Sequence, residues 1–308
     1  MTSSGSMASP KLKDGKLDAE LDRRGYVTLR LFAPDEAAAI RERLLESTEE
    51  RTAANHSAIY ISAFDADEGR KQALEDAAKT LLSAALAPHL VAGRIQNGGA
   101  VVKDPGGGLL AMHHHPPVTE AYPAREIICW CPLTDVDEHS GALRVVPGSH
   151  NLLPFIRLPK TPDYFGGFRE KVERHGVAVP LKAGEAILFE NTILHGSAPN
   201  DGTVPRYAIV GQIVPEDATN ALYLEGDDGL IDIVEAPTAE AFRQFVQTGV
   251  RPPEWRTVKR IANPNRPLDE AEFERLIGFH PQTSGPSSDQ PAEAGSLRKL
   301  AGKLRSWF

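Results

Sequence analysis

The stretch Glu126-Ile-Ile-Cys-Trp-Cys-Pro-Leu133 is a short β-rich run, largely apolar and followed by turn-forming sequence. Four others resemble it: Gly99–Val102, Leu143–Val146, Ala186–Phe189 and Tyr207–Val214, with Gly and Pro between them. No regular helices are expected between these runs, which argues for a sandwich or barrel over a parallel α/β sheet. Gly 26 and Pro 24 in 308 residues suit a chain of many turns and short strands. Cys129 and Cys131, the two cysteines of the chain, flank Trp130 inside the first run. Residues i and i+2 of a strand share a face, and their backbones do not close easily into a disulfide. Both thiols therefore read as reduced, in an intracellular chain.

Outward from this β-rich region, Leu17 to about Arg51 carries two helical patterns around an extended piece, Gly25-Tyr-Val-Thr-Leu-Arg-Leu-Phe32. The second helix is announced by Ala33-Pro34-Asp35-Glu36 and continues through Ala38, Ile40, Leu44 and Leu45 at helical spacing. A further amphipathic stretch covers about 69–87. The reading is a disordered segment at 1–16 and one domain at 17–280. Within that domain, helices occupy 17–90, the β-rich part about 91–215, and an extension 216–280 offers a substrate wall or a homodimer contact. Residues 281–295 read as a linker. Residues 296–308 form a basic tail in which Leu297, Leu300, Leu304, Trp307 and Phe308 share one helical face. Such a tail suits weak contact with an anionic membrane surface, or docking on its own acidic domain or on a neighbouring subunit.

Hydrophobic residues at 41% and charged residues at 25% exclude global disorder. A net charge of −8 argues against a broad electrostatic grip on nucleic acid. No signal-peptide core and no membrane-length apolar run occur, so a soluble, cytoplasmic protein is expected.

Three consecutive histidines, His113-His114-His115, precede Pro116-Pro117. Proline pushes His115 towards extended backbone, where His113 and His115 project to one side and His114 to the other. A pair of imidazoles at i and i+2 is good metal-ligand spacing, though imidazole suits Fe, Zn, Cu and Ni alike; the plainer reading is a polar loop. His195 closes an apolar run just before a turn, and Arg206 opens the strand that follows. A third histidine from another strand would complete a facial set, and an inward arginine would hold a carboxylate in a bidentate pair. Each alone is equally well read as a surface residue.

Taken together, these motifs resemble the phytanoyl-CoA dioxygenase-like family of Fe(II)/2-oxoglutarate-dependent oxygenases, over roughly residues 17–215. The resemblance rests on Gly25-Tyr-Val-Thr-Leu-Arg-Leu-Phe, Met112-His-His-His, Ser140-Gly-Ala-Leu-Arg-Val-Val-Pro-Gly-Ser-His150, and His195-Gly-Ser-Ala-Pro-Asn200 with Arg206. It implies a mainly β fold with flanking α: a double-stranded β-helix (jelly roll, cupin-like) with N-terminal helices packed on it. It implies Fe(II), 2-oxoglutarate and O2 as cofactor and co-substrates, and a small-molecule substrate. His113 matches the first metal ligand, His195 the distal one, and Arg206 the partner of the far carboxylate of 2-oxoglutarate. Ser197 matches a hydroxyl at that carboxylate site and Trp130 an aromatic position near the co-substrate. Pro147-Gly148-Ser149-His150 reads as a structural turn.

The sequence departs from the family where its aspartate falls on His115, giving His-x-His in place of His-x-Asp. Imidazole for carboxylate raises the net charge around the metal by one and alters its affinity or redox balance. Four readings follow: a three-histidine centre that uses 2-oxoglutarate, a cupin-like centre that does not, an altered triad in which Glu120 swings in, and a non-catalytic binding protein. Retention of Arg206 favours the first. Halogenases of this superfamily carry a small residue in the aspartate slot, which His115 fills. Residues 150–175, with Tyr164, Phe165, Gly166, Gly167 and Phe168, read as a lid-type insertion. No basic cluster for coenzyme A stands out.

Overall fold

The computed structural model describes residues 8–49, 51, 59–152, 155–158, 165, 167–226, 228–235, 245, 248 and 250–278. The amino-terminal part contains β1 (Lys11–Leu12), α1 (Gly15–Arg24), β2 (Tyr26–Arg30), α2 (Pro34–Thr48), β3 (Tyr60–Ile61) and α3 (Glu68–Leu86). The β-rich part begins with β4 (Leu90–Ala92), β5 (Arg94–Lys103), β6 (Leu110–His113), β7 (Ile127–Pro132) and β8 (Leu143–Val145). After the short helices α4 (Ser149–Leu152) and α5 (Arg169–Arg174) come β9 (Val177–Val179), β10 (Glu185–Glu190), β11 (His195–Ser197) and β12 (Arg206–Val214). The extension holds β13 (Ala221–Glu225), β14 (Leu230–Glu235), β15 (Thr257–Ala262) and α6 (Glu270–Gly278).

Two antiparallel sheets make the jelly roll: a six-stranded one in the order β2-β10-β7-β12-β5-β3 and a four-stranded one in the order β6-β11-β8-β9. The period-2 alternation of strand side chains divides the larger sheet into two unlike faces. Cys129 and Cys131 of β7, Ala186 and Leu188 of β10, and Tyr207 and Ile209 of β12 meet Leu74, Ala77, Ala78 and Leu81 of α3 and Ile40 and Leu44 of α2 in one core. The intervening residues Ile128, Trp130, Ile187, Phe189 and Ala208 turn inward, against Leu143, Val145 and Val179 of the smaller sheet. Both cysteines are free thiols buried on the helix-backed face.

Local chemistry sets the helix ends. The Asp14 side chain caps α1 by accepting from Lys16 N and Leu17 N, and Gly25 ends it at φ +80°. A Cβ on Gly25 would stand 2.5 Å from His150 Nδ1, so this glycine is needed both for its backbone conformation and for the close approach. The turn at 147–150 clasps the same corner: Gly148 N donates to Arg24 O, and His150 Nε2 lies 3.0 Å from Asp22 O.

Two sequence boundaries move. Within the segment 1–16, expected to be disordered, residues 8–16 are ordered: β1 pairs with β4, and the Leu12 N–H donates to Asp18 Oδ1. The small and polar residues there gain their order from pairing partners distant in sequence. The sheet also reaches back into the part assigned mainly to helices: β2, within the expected extended piece, lies along β10, and β3, not anticipated, lies along β5. The extension adds the antiparallel sheet β13-β14-β15. The α6 segment buries Leu268, Phe273 and Ile277 against Met112, Val146, Phe165 and Leu194, directly behind the strands that carry His113 and His195. The expected linker and basic tail, with Tyr164 and Gly166 of the 150–175 insertion, lie outside the described residues. No helix among the described residues is long and apolar enough to cross a membrane.

Candidate metal centre and anion pocket

His113 ends β6, His195 opens β11, and the two are directly paired in the antiparallel register. His115 sits two residues beyond the end of β6, its N–H donating to Asn191 O at 2.8 Å. The three rings converge, with centroids 4.4 Å apart for His113 and His195, 4.8 Å for His115 and His195, and 5.5 Å for His113 and His115. One ring nitrogen from each lies within 4.8 Å of the others. His113 Nδ1 is 2.9 Å from Ala111 O, and His195 Nδ1 is 3.0 Å from Ile193 O. Each of these contacts assigns a proton to Nδ1, which makes Nε2 the nitrogen through which the ring would ligate a metal, the usual orienting device for a histidine ligand. His195 Nε2 and His115 Nε2 stand 3.1 Å apart. Two nitrogens each about 2.1 Å from one ion and at right angles would be separated by about 3 Å. Burial, reinforced by neighbouring positive charge, holds the pKa of His115 and His195 well below the ordinary imidazole value, which favours the neutral, ligating form.

A second constellation lies on the inward face of the larger sheet. Arg206 of β12 is paired in register with Lys103 of β5, so both side chains point into the roll. Arg206 is 2% exposed and Lys103 is 0% exposed. The Lys103 ammonium donates to Ser197 Oγ, Ala198 O and Gly108 O at 2.6–2.8 Å. Arg206 Nη1 donates to Gly141 O at 2.8 Å, its guanidinium carbon lies 5.1 Å from the Trp130 ring centroid, and its buried Nε has no hydrogen-bond partner. Gly141 sits beneath both: a Cβ there would be 3.1 Å from Lys103 Cδ and 3.5 Å from Arg206 Cδ. Among the described residues neither cation has a carboxylate partner. Burial, with Arg206 alongside, lowers the Lys103 pKa to about 7, and burial lowers that of Arg206 to about 9. Two desolvated cations of this kind are costly when left alone and suit an anion.

The structure thus brings His113, His115 and His195 together in one group, and Arg206, Ser197 and Trp130 in another on adjoining strands. Trp130 supports Arg206 through its ring face. Glu120, considered as an alternative ligand, is turned away: its carboxylate accepts the Thr219 N–H at 2.7 Å, and Thr119 bridges to Asn220. His114 points to the other side, stacked 6.4 Å from Phe155, and its carbonyl accepts from Arg157. His150 belongs to the α1 corner. The residue that sequence reasoning missed is Lys103. Followed by Asp104-Pro-Gly-Gly-Gly, it reads as a solvated lysine at a strand end, and its single local signal is the alternation that places Val101 and Lys103 opposite Val102.

The sequence pattern described as Phytanoyl-CoA dioxygenase (PhyH) matches residues 21–208. The chain belongs to that family. The match begins in α1 and ends in β12, so it takes in the three histidines, Lys103 and Arg206. A curated relative, phytanoyl-CoA dioxygenase domain-containing protein 1 of Danio rerio, is 27% identical over 128 residues, which is 39% of this chain and 44% of that protein. The chain thus matches less than half the length of that relative. Among solved structures, the non-heme alpha-ketoglutarate-dependent carbocyclase SnoK from nogalamycin biosynthesis is similar at 21% identity. That likeness covers 67% of this chain and 86% of that one with a TM-score of 0.50, and it bears on the fold.

Proposed function

We propose that this family member is a non-haem Fe(II)- and 2-oxoglutarate-dependent oxygenase that hydroxylates, or otherwise oxidises, a C–H bond of a small organic substrate. The donor set fits the metal: three imidazoles converge, two of them oriented through Nδ1 by backbone carbonyls. His113, His115 and His195 would hold it, with His115 in the place of the family's carboxylate. Bound Fe(II) would supply the activation of O2 that couples decarboxylation of 2-oxoglutarate, to succinate and CO2, with insertion of one oxygen atom into the substrate.

The chain's own residues bind and orient the co-substrate. Arg206 and Lys103 receive its far carboxylate, and the face of Trp130 keeps the Arg206 guanidinium in place. Ser197 Oγ accepts from Lys103, which leaves the serine hydroxyl proton free to be donated to the same carboxylate. Gly141, without a side chain, gives both cations room. The apolar inner face around Ile128, Ile187 and Phe189 excludes water from the adjoining space.

The observation that carries this reading is the pair of buried cations, Lys103 and Arg206, with no carboxylate partner among the described residues and beside three converging histidines. A three-histidine dioxygenase indifferent to 2-oxoglutarate would have no use for that pair. The test is anaerobic titration of Fe(II) and 2-oxoglutarate into the protein, beside His115→Ala and His115→Asp. Stoichiometric Fe(II) with a metal-to-2-oxoglutarate charge-transfer band, lost in His115→Ala, is expected. Iron bound exclusively by His115→Asp would place the natural chain among the binding proteins.

A further inference from the structure

His113 and His195 are held by strand ladders, whereas His115 lies beyond the end of β6 and must be placed by something else. Pro116 and Pro117 follow it and have no N–H to donate. From His115 to Thr119 the backbone therefore offers three donors, and all three end on two neighbouring residues. The His115 N–H goes to Asn191 O at 2.8 Å. Those of Val118 and Thr119 go to the Glu126 carboxylate, at 3.1 and 3.0 Å for the shortest contacts. Thr119 Oγ1 donates to the same carboxylate at 2.7 Å. Asn191 closes the arrangement: its N–H donates to Glu126 O at 3.0 Å, and its side-chain amide donates to Glu126 Oε2 at 3.2 Å.

Glu126 is 2% exposed, and among the described residues it has no cation as a partner. Gln212 Nε2 completes the set at 2.8 Å, so two carboxylate oxygens accept from Val118, Thr119 twice, Asn191 and Gln212. A buried carboxylate is costly unless its acceptor capacity is filled. This one is filled mainly by the turn that carries His115 and by the residue that receives the His115 N–H.

We propose that Glu126 is the positioning residue of the three-histidine centre, its carboxylate fixing the turn that presents His115 from both ends. The inference rests on the metal-centre reading above and deepens it. Glu126 does not touch the metal position; it acts through Val118, Thr119 and Asn191. Gln212 reaches the carboxylate from β12, and its other hydrogen bond, from Asn97 Nδ2 to its Oε1, leads away along β5. It provides an internal control, because Gln212→Ala removes a buried bond to Glu126 without releasing His115.

The probe is Co(II), titrated into the full chain and followed by its ligand-field absorption, with thermal unfolding measured in parallel. Glu126→Gln puts an amide NH2 against a cluster of donors. It is expected to weaken Co(II) binding about 10- to 100-fold, the usual effect of losing an orienting partner of a ligand, and to shift the ligand-field bands. Gln212→Ala is expected to lower the melting temperature while leaving Co(II) affinity within about twofold. Should Glu126→Gln fail to fold, Thr119→Val removes one donor from the same turn and is expected to weaken Co(II) severalfold with the same band shift. Wild-type affinity and bands in Glu126→Gln, or in Thr119→Val in its place, with binding abolished in His115→Ala, would overturn the positioning role and leave the metal centre standing. Equal binding by wild type and His115→Ala would instead overturn the metal-centre reading itself.

Discussion

The two faces of the six-stranded sheet come from the same strands, one residue out of step, and they have opposite chemistry. The face towards α2 and α3 is lined by Leu188, Ile209, Cys129, Cys131 and Tyr207, close-packed with few polar atoms. The inner face starts similarly with Ile128, Ile187 and Phe189, then admits Trp130, Arg206 and Lys103. Stability is concentrated on the first face, and the second accepts a cost in stability to hold charge away from water. A single-residue slip in register would exchange the two.

The widest separation between the faces is expected from a pair of truncations. Arg206→Ala should raise the 2-oxoglutarate concentration needed for half-saturation by roughly 10²–10³-fold, the loss that follows when one member of a buried ion pair is removed, with a folded circular-dichroism spectrum. Leu188→Ala, at a position with 0% exposure on the other face, should cost about 2–5 kcal/mol in denaturant unfolding. Its 2-oxoglutarate affinity per folded molecule should be unchanged. If the leucine change weakens 2-oxoglutarate and the arginine change does not, the division of labour between the faces is wrong.

Lys103→Met sharpens the contrast, because it removes an unpaired buried charge while keeping volume. Without ligand, relief of the buried charge and loss of its bonds to Ser197 Oγ, Ala198 O and Gly108 O oppose each other, so the melting temperature should stay close to that of wild type. Its affinity for 2-oxoglutarate should fall about 10- to 100-fold, the range for a hydrogen bond to a charged group. Wild-type affinity should also depend on pH. The Lys103 pKa is lowered to about 7, so the ammonium is present below that value and is lost as pH rises through it. A bound carboxylate favours the charged form, so affinity should decline from about pH 7 to pH 8, below the range in which Arg206 titrates, a dependence that Lys103→Met should abolish.

The smallest effect concerns a polar group at the rim of the sheet. Glu190 ends β10 near Asp18 and Asp22, 3.9 Å from Arg125, and burial raises its pKa to about 7. A carboxyl raised above its unfolded value stabilises the fold at low pH, and that contribution is lost as pH rises from about 4.5 through 7. Glu190→Gln should therefore stabilise the protein by about 1–3 kcal/mol at pH 8 and by almost nothing at pH 5, as read from urea midpoints.

Much of this was legible in the sequence where pattern and chemistry coincide. The runs around Glu126–Leu133 and Tyr207–Val214 are apolar almost throughout, as strands covered on both faces are, and they became β7 and β12. His113, His195 and Arg206 were singled out by spacing and by family resemblance, and they lie on three different strands. β6, β9 and β11 have four residues or fewer, too short for a period to show. β2 matches the extended piece at 25–32, but its place in the sheet, and the existence of β3 inside a region assigned to helices, depend on partners far along the chain. Lys103 was hidden for a related reason: a lysine before a Gly-rich turn looks solvated until register sets it opposite Arg206. Glu126 likewise reads as the polar start of a strand, and its role depends on a turn that closes over it from seven or eight residues away.

Pro116 and Pro117 have a further consequence. Their rings set φ in the unfolded chain as firmly as in the folded one, which removes part of the disorder that the turn after His115 would otherwise lose, on the order of 0.4–1 kcal/mol per proline. Shape is thus inherited from covalent structure before any ligand arrives. The third imidazole is presented by a segment with little freedom to wander, and less of the free energy of metal capture is consumed in ordering it.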